Sequence, residues 1–174
     1  MKAFLIALGG IGFFLMFSLA LAQETAPSTP PPSPVNYALP YPGILPDNPL
    51  FFLKRLRDTI LIQLISNPVR KAEFHQLLAD KYHSMGEVLL EKGKPEVALA
   101  TFAKGARFDA DTRKYLSQIP AENMTQLNQL TDRFSQSLSK HLEVLTRSQE
   151  KFSGPDLTTL QTIITSLTEL QKGL

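Results

Sequence analysis

Three histidines and the carboxylates near them are the residues of this chain that could do chemistry. His75 and His83 are eight positions apart, which on a helix turns them roughly 80° from each other and suits no shared metal. Asp80, His83 and Glu87 fall three and four apart and share one helix face. A divalent cation could sit on such a set, but three polar residues on one face also describe an ordinary solvated surface. His141 lies between Leu138 and Leu145 on an apolar seam, where a buried, hydrogen-bonded histidine is expected. Other chemistry lacks its residues. There is no cysteine, hence no thiolate ligand, no thiol nucleophile and no disulfide. No G-x-S-x-G or S-x-x-K motif occurs, and Gly9-Gly10-Ile11-Gly12 falls in a leader-like stretch rather than a phosphate loop. Acids and bases are otherwise mixed along polar helix faces. No catalytic, cofactor-binding or metal residue is assigned, and the chain reads as a non-enzyme.

The elements that would carry these residues are delimited by proline. Of 174 residues, 13 are proline. Nine of them lie between Pro27 and Pro49, and the others are Pro68, Pro95, Pro120 and Pro155. Ahead of the first group, Met1-Lys2 precedes an uncharged run from Ala3 to Ala22 that closes on Ala20-Leu21-Ala22. This reads as a secretory signal peptide over 1–22, with an uncleaved anchor as the alternative because about 20 such residues span a bilayer. Residues 23–47, including Pro30-Pro31-Pro32-Ser33-Pro34, read as a Pro-rich, semi-rigid tether. The expected location is therefore outside the cytoplasm, periplasmic or extracellular. A formal charge of +2 is too small for a binder that works by neutralising phosphates along a nucleic acid.

From residue 48 to 172 the apolar period is helical and no strand pattern is present. The expectation is an all-α bundle of about five helices in antiparallel hairpins. Segment one opens at Asn48-Pro49 as cap and first helical residue, with Leu53, Leu56, Ile60, Leu61 and Leu64 as its stripe. Segment two opens at Asn67-Pro68, carries Phe74, Leu77, Leu78, Met85, Val88 and Leu89 inward, and stops near Gly93. Segment three starts at Pro95 with Ala98, Leu99, Phe102, Ala103 and Ala106. A break is expected at Asp109 to Asp111, then a short turn with Tyr115, Leu116 and Ile119. Segment four runs from about Pro120 to Phe152, and Ser153-Gly154-Pro155 separates it from segment five.

Tyr41-Pro42-Gly43-Ile44-Leu45-Pro46-Asp47-Asn48-Pro49, followed by Leu53-Lys54-Arg55-Leu56-Arg57-Asp58 and Asn67-Pro68-Val69-Arg70-Lys71-Ala72-Glu73-Phe74, resembles an uncharacterised bacterial family. It is a domain of unknown function found in exported or membrane-tethered proteins. The resemblance spans about residues 40–106 and implies an extracytoplasmic helical domain, with no activity or ligand attached. Physically, Pro42-Gly43 favours a tight turn, which lets Ile44 and Leu45 tuck against segment one. Tyr82, Met85-Gly86, Leu89, Ala98, Phe102 and Gly105 are similar in spacing to one tetratricopeptide hairpin, with Gly105 where that repeat has Ala. This predicts that segments two and three pair antiparallel. Leu145-Thr146-Arg147-Ser148-Gln149 and Leu157-Thr158-Thr159-Leu160-Gln161 look like the L-T-x-x-Q signature of small helical periplasmic chaperones.

The functional expectation is a non-catalytic binding or scaffolding domain of the cell envelope, using a groove between helices and an unidentified protein or peptide partner. A periplasmic chaperone is one alternative and a helix-borne metal or hydrolase site is another. Lys54, Arg55, Arg57, Arg70 and Lys71 make a basic end that could meet anionic headgroups or face water.

Overall fold

A computed structural model describes residues 35–174. The expected signal peptide over 1–22 and the proline run up to Pro34 lie outside the described residues. Five α-helices follow one another: α1, Phe51–Leu64; α2, Pro68–Glu91; α3, Pro95–Leu116; α4, Met124–Ser148; and α5, Gly154–Lys172. Short 3₁₀ turns, Ala121–Asn123 and Gln149–Lys151, flank α4. No strand occurs among the described residues. The all-α bundle of five helices is as expected.

Proline sets most of the helix starts. Asn67 accepts hydrogen bonds from the Val69 and Arg70 amides at 2.9 and 3.2 Å, and Pro68 takes the first helical position, where its missing N–H costs nothing. At the far end of α2, Lys94 N–H returns to the Leu89 carbonyl at 2.9 Å and Gly93 has φ +70°, a left-handed cap that turns the chain into α3. α2 and α3 thus form the expected antiparallel hairpin and share the largest helix interface. The approach is close because Gly86 has no side chain: a β-carbon there would lie 2.3 Å from the Phe102 ring. α4 packs on α2, and α5 closes the bundle against α3 and α4. The core gathers Leu89, Phe102, Phe134, Leu138, Leu145, Leu160 and Leu167. Arg113 caps the end of α5 through the Leu170 carbonyl at 3.0 Å.

Three expectations about the helices change. α3 is continuous through Asp109 to Asp111, so no break occurs there. Aspartate favours helix ends because its carboxylate competes for local backbone amides, but the Asp109 carboxylate is fully buried and engaged by other helices. α1 starts at Phe51 rather than Pro49. The Asn48 side chain still accepts the Leu50 amide at 2.8 Å, within a turn preceding the helix. Finally, the stripe of α1 does not face the core. Leu53, Leu56, Ile60, Leu61 and Leu64 are exposed, and Phe51, Asp58 and Ile62 turn inward instead.

The chain before α1 is docked from Val35 onward. Val35 N–H donates to Glu143 at 2.9 Å, the Tyr37 hydroxyl donates to Asp80 at 2.7 Å, and Leu39 packs on the core. Gly43 has φ +71°, consistent with the tight turn. Leu45 is buried, but against Leu78, Ala79, Tyr82 and Met85 of α2 rather than against α1, while Ile44 stays exposed. Residues 35–47, read from sequence as the distal part of a tether, are therefore held on the helices by specific bonds. Limited proteolysis is expected to leave a stable fragment whose N-terminus, read by mass spectrometry, lies near Val35. A fragment beginning near Gly43 would contradict the docked strap.

Candidate functional site

One polar cluster sits inside the bundle, built by α2, α3 and α4. α2 contributes Asp80 and His83, one turn apart on its inner face; α3 contributes Asp109; α4 contributes Ser137 and His141, again one turn apart. Asp109 divides its carboxylate between two histidines. Oδ2 meets His83 Nε2 at 2.9 Å and Oδ1 meets His141 Nδ1 at 3.1 Å. The other nitrogen of His141, Nε2, meets Asp80 Oδ1 at 2.9 Å. Ser137 donates to the same Asp80 oxygen at 2.6 Å, and Tyr37 donates to Asp80 Oδ2. The two imidazoles stack with centroids 3.9 Å apart. Gly105 makes room for this, since a β-carbon there would lie 2.9 Å from His83 Nε2. That contact accounts for a glycine where a tetratricopeptide hairpin has alanine.

The hydrogen-bond partners fix the protons. Both nitrogens of His141 face carboxylate oxygens, which only accept, so both carry hydrogen and the ring is an imidazolium. Burial works against that charge, but Asp109 and Asp80 outweigh it and hold His141 up at about 9. Burial and the positive charge of His141 push His83 down to about 4, against the pull of Asp109. His83 is therefore neutral at pH 7, donating from Nε2, and its buried Nδ1 has no partner among the described residues. Burial penalises the Asp109 charge too, but His141 and the hydrogen bonds prevail and hold it down at about 2. Burial first, then the Asp80 carboxylate, raises the Tyr37 phenol.

Two chemical readings of this cluster fail on its geometry. Asp109, His141 and Ser137 stand in the order of an acid–base–nucleophile triad, with Ser137 Oγ 3.4 Å from His141 Nε2. Asp80 defeats it: the serine hydroxyl donates to the Asp80 carboxylate and His141 is already protonated, so the imidazole cannot act as the base of such a triad. His83, Asp109 and His141 also bring one ligand atom each within 4.8 Å of one another. Imidazole lone pairs lie in the ring plane, and rings stacked 25° from parallel aim theirs side by side rather than at one point. Both lone pairs of His141 are also committed to protons. The set is built to share protons between carboxylates and imidazoles.

Sequence spacing places Asp80 and His83 on one helix face, but that face is buried in the bundle rather than solvated; His141 is the buried, hydrogen-bonded histidine expected. Sequence spacing misses Asp109, which is 26 residues from His83 and 32 from His141. Glu87, the third member of the candidate metal face, points away and pairs with Arg147 at the surface. His75 is buried elsewhere, donating from Nδ1 to the Lys71 carbonyl at 2.8 Å and packed against Tyr115 and Phe108. A groove between helices exists as shallow clefts, one of about 500 Å³ between α2 and α4 lined by Arg70, Glu73, Gln129 and Arg133.

The bundle and its sealed network define a helical domain organised around a buried His–Asp cluster. Residues 43–165 match the family model described as a domain of unknown function (DUF5667), and the chain belongs to that family. No curated protein and no solved structure matches it. Among the described residues no helix is long and apolar enough to cross a membrane.

The network predicts a two-sided pH dependence of stability. His141 titrates higher folded than unfolded, so its contribution is complete below about 6.5 and is lost as pH rises through about 9. His83 titrates lower folded than unfolded, so its contribution is present above about 6.5 and is lost as pH falls through about 4. The melting temperature should peak between these flanks. Asp109→Asn leaves a buried imidazolium with one counter-charge fewer and should cost about 3–5 kcal/mol in urea unfolding at pH 7. A cost below about 1 kcal/mol would show that the network does not hold the three helices.

Proposed function

We propose that this chain is an exported, non-catalytic binding or scaffolding domain of the cell envelope, and that the outward face of α1 is its contact surface. The observation carrying this reading is the orientation of α1. Among the described residues, nine of the eleven exposed large hydrophobics fall between Tyr41 and Leu64, so they form one local patch rather than scattered positions. Leu56 and Ile60 are 55% and 50% exposed and Leu64 is 72% exposed. Burying the part still exposed would stabilise each by about 1–2 kcal/mol. The export half of the reading rests on the uncharged run Ala3–Ala22 and its small-residue end. The non-catalytic half is supported by the sealing of the polar cluster: His83, Asp109, Ser137 and His141 have no exposed surface.

The chaperone alternative needs a concave apolar face drawn from the second to fifth helices. Met85, Phe102, Phe134, Leu138 and Leu145 of those helices are instead fully buried, which favours the α1 face as the binding element.

The test is a Leu56→Glu/Ile60→Glu double variant. Both side chains face water, so its thermal melting should match the parent to within about 0.5 kcal/mol. Co-sedimentation with isolated envelope fragments should be lost. A strongly lowered melting point, or unchanged co-sedimentation, would overturn the reading.

A further inference from the structure

Beside the apolar face of α1 lies a cleft of about 470 Å³, lined by Tyr41, Pro42, Gly43, Ile44, Leu53, Lys54, Arg57 and Lys81. Its three charged residues are all cations. Lys54 is held by the Pro42 carbonyl at 2.8 Å and the Ile44 carbonyl at 3.3 Å, which fixes its ammonium at the inner wall. Burial, with Lys81 and Arg57 adding to it against Asp58, lowers Lys54 to about 8. Arg57 pairs with Asp58 at 2.6 Å, and Asp58 is the one acid of α1 and is buried under the helix. The outward side of α1 therefore carries Phe52, Leu53, Leu56, Ile60 and Leu64 with no carboxylate, and a cationic cleft at its edge.

Resting on the reading above, we infer that the partner is an anionic phospholipid surface. The apolar row of α1 enters the acyl boundary, and a phosphate headgroup lies in the Lys54–Arg57–Lys81 cleft. This is the arrangement of a helix lying in a membrane interface, apolar below and basic at the flanks. Charge decides against a second copy of the chain as occupant, because pairing two such faces would bring their cationic rims together.

The chain contains no tryptophan, so Ile60→Trp in the full chain gives a single reporter on this face. Adding vesicles that contain phosphatidylglycerol should shift its emission to the blue, while Gln161→Trp, on exposed α5 surface, should not shift. Arg57 is paired with Asp58, so two uncompensated cations near the surface correspond to about a thirtyfold preference over pure phosphatidylcholine vesicles, and Lys81→Gln should lower that preference about fivefold. Inorganic phosphate alone should leave the emission of the Ile60→Trp variant unchanged. The lipid assignment falls if the indole on α1 stays in water with anionic vesicles, or if both vesicle types act equally. It also falls if the blue shift appears without vesicles and fades on dilution, which would mark self-association. If the α1 indole stays in water while the double glutamate variant still abolishes envelope binding, the contact surface stands and its partner is not lipid. If the glutamates change nothing either, both readings fall together.

Discussion

The fold depends on how one buried carboxylate is shared. Asp109 offers an oxygen to His83 on α2 and another to His141 on α4, so a single side chain of α3 fixes the register of the two helices beside it. A buried ion pair gives little net stability, because both charges leave water. Its effect is felt in the alternatives it excludes. Sliding α2 or α4 by one turn would strand an imidazolium or a carboxylate in the core, whereas an all-leucine interface would tolerate the slip.

The glycines follow from the same constraint. His83 must reach Asp109 across the α2–α3 interface while stacking on His141, and only a residue without a β-carbon at position 105 leaves space for the ring. Elsewhere in the hairpin, Gly86 does the equivalent for Phe102. Polar satisfaction and close packing are thus linked: Phe102 stacks beside His83 at 6.0 Å, so the apolar core wall and the charged cluster position each other. Nδ1 of His83, without a partner among the described residues, is a cost of this packing, about 1–3 kcal/mol for a buried polar atom left without a bond.

Much of this is legible in the sequence, and the rest is hidden for physical reasons. The 3.6-residue period and the Asn-Pro start at residue 67 identify α2 and its cap, because both signals are local. Asp109 escapes such reading because a lone aspartate within a helix pattern looks like a terminator until its partners are known, and those partners come from α2 and α4. Tyr37 escapes it likewise: proline-rich surroundings hide a residue whose hydroxyl belongs to the core. The stripe of α1 is a true stripe. What periodicity cannot supply is the identity of the surface that the stripe meets, and here Asp58, on the opposite side, is the residue that turns inward.

That inversion is possible because α1 is positioned by polar bonds and by the chain ahead of it. Val35 is fastened to Glu143, Tyr37 to Asp80, and Asp47 to Lys94 at 2.8 Å. Leu45 is set into the α2 surface, and Lys54 then ties the helix back to the Pro42 and Ile44 carbonyls. The buried network reaches this strap directly, since Asp80 accepts from both His141 and Tyr37. Because these attachments, with Phe51 against Tyr82 at 6.3 Å, locate the helix, its outward leucines and isoleucine are not needed to hold the fold. A helix fixed in this way can keep an apolar face turned to the outside without unfolding the domain beneath it, and a contact surface requires that combination.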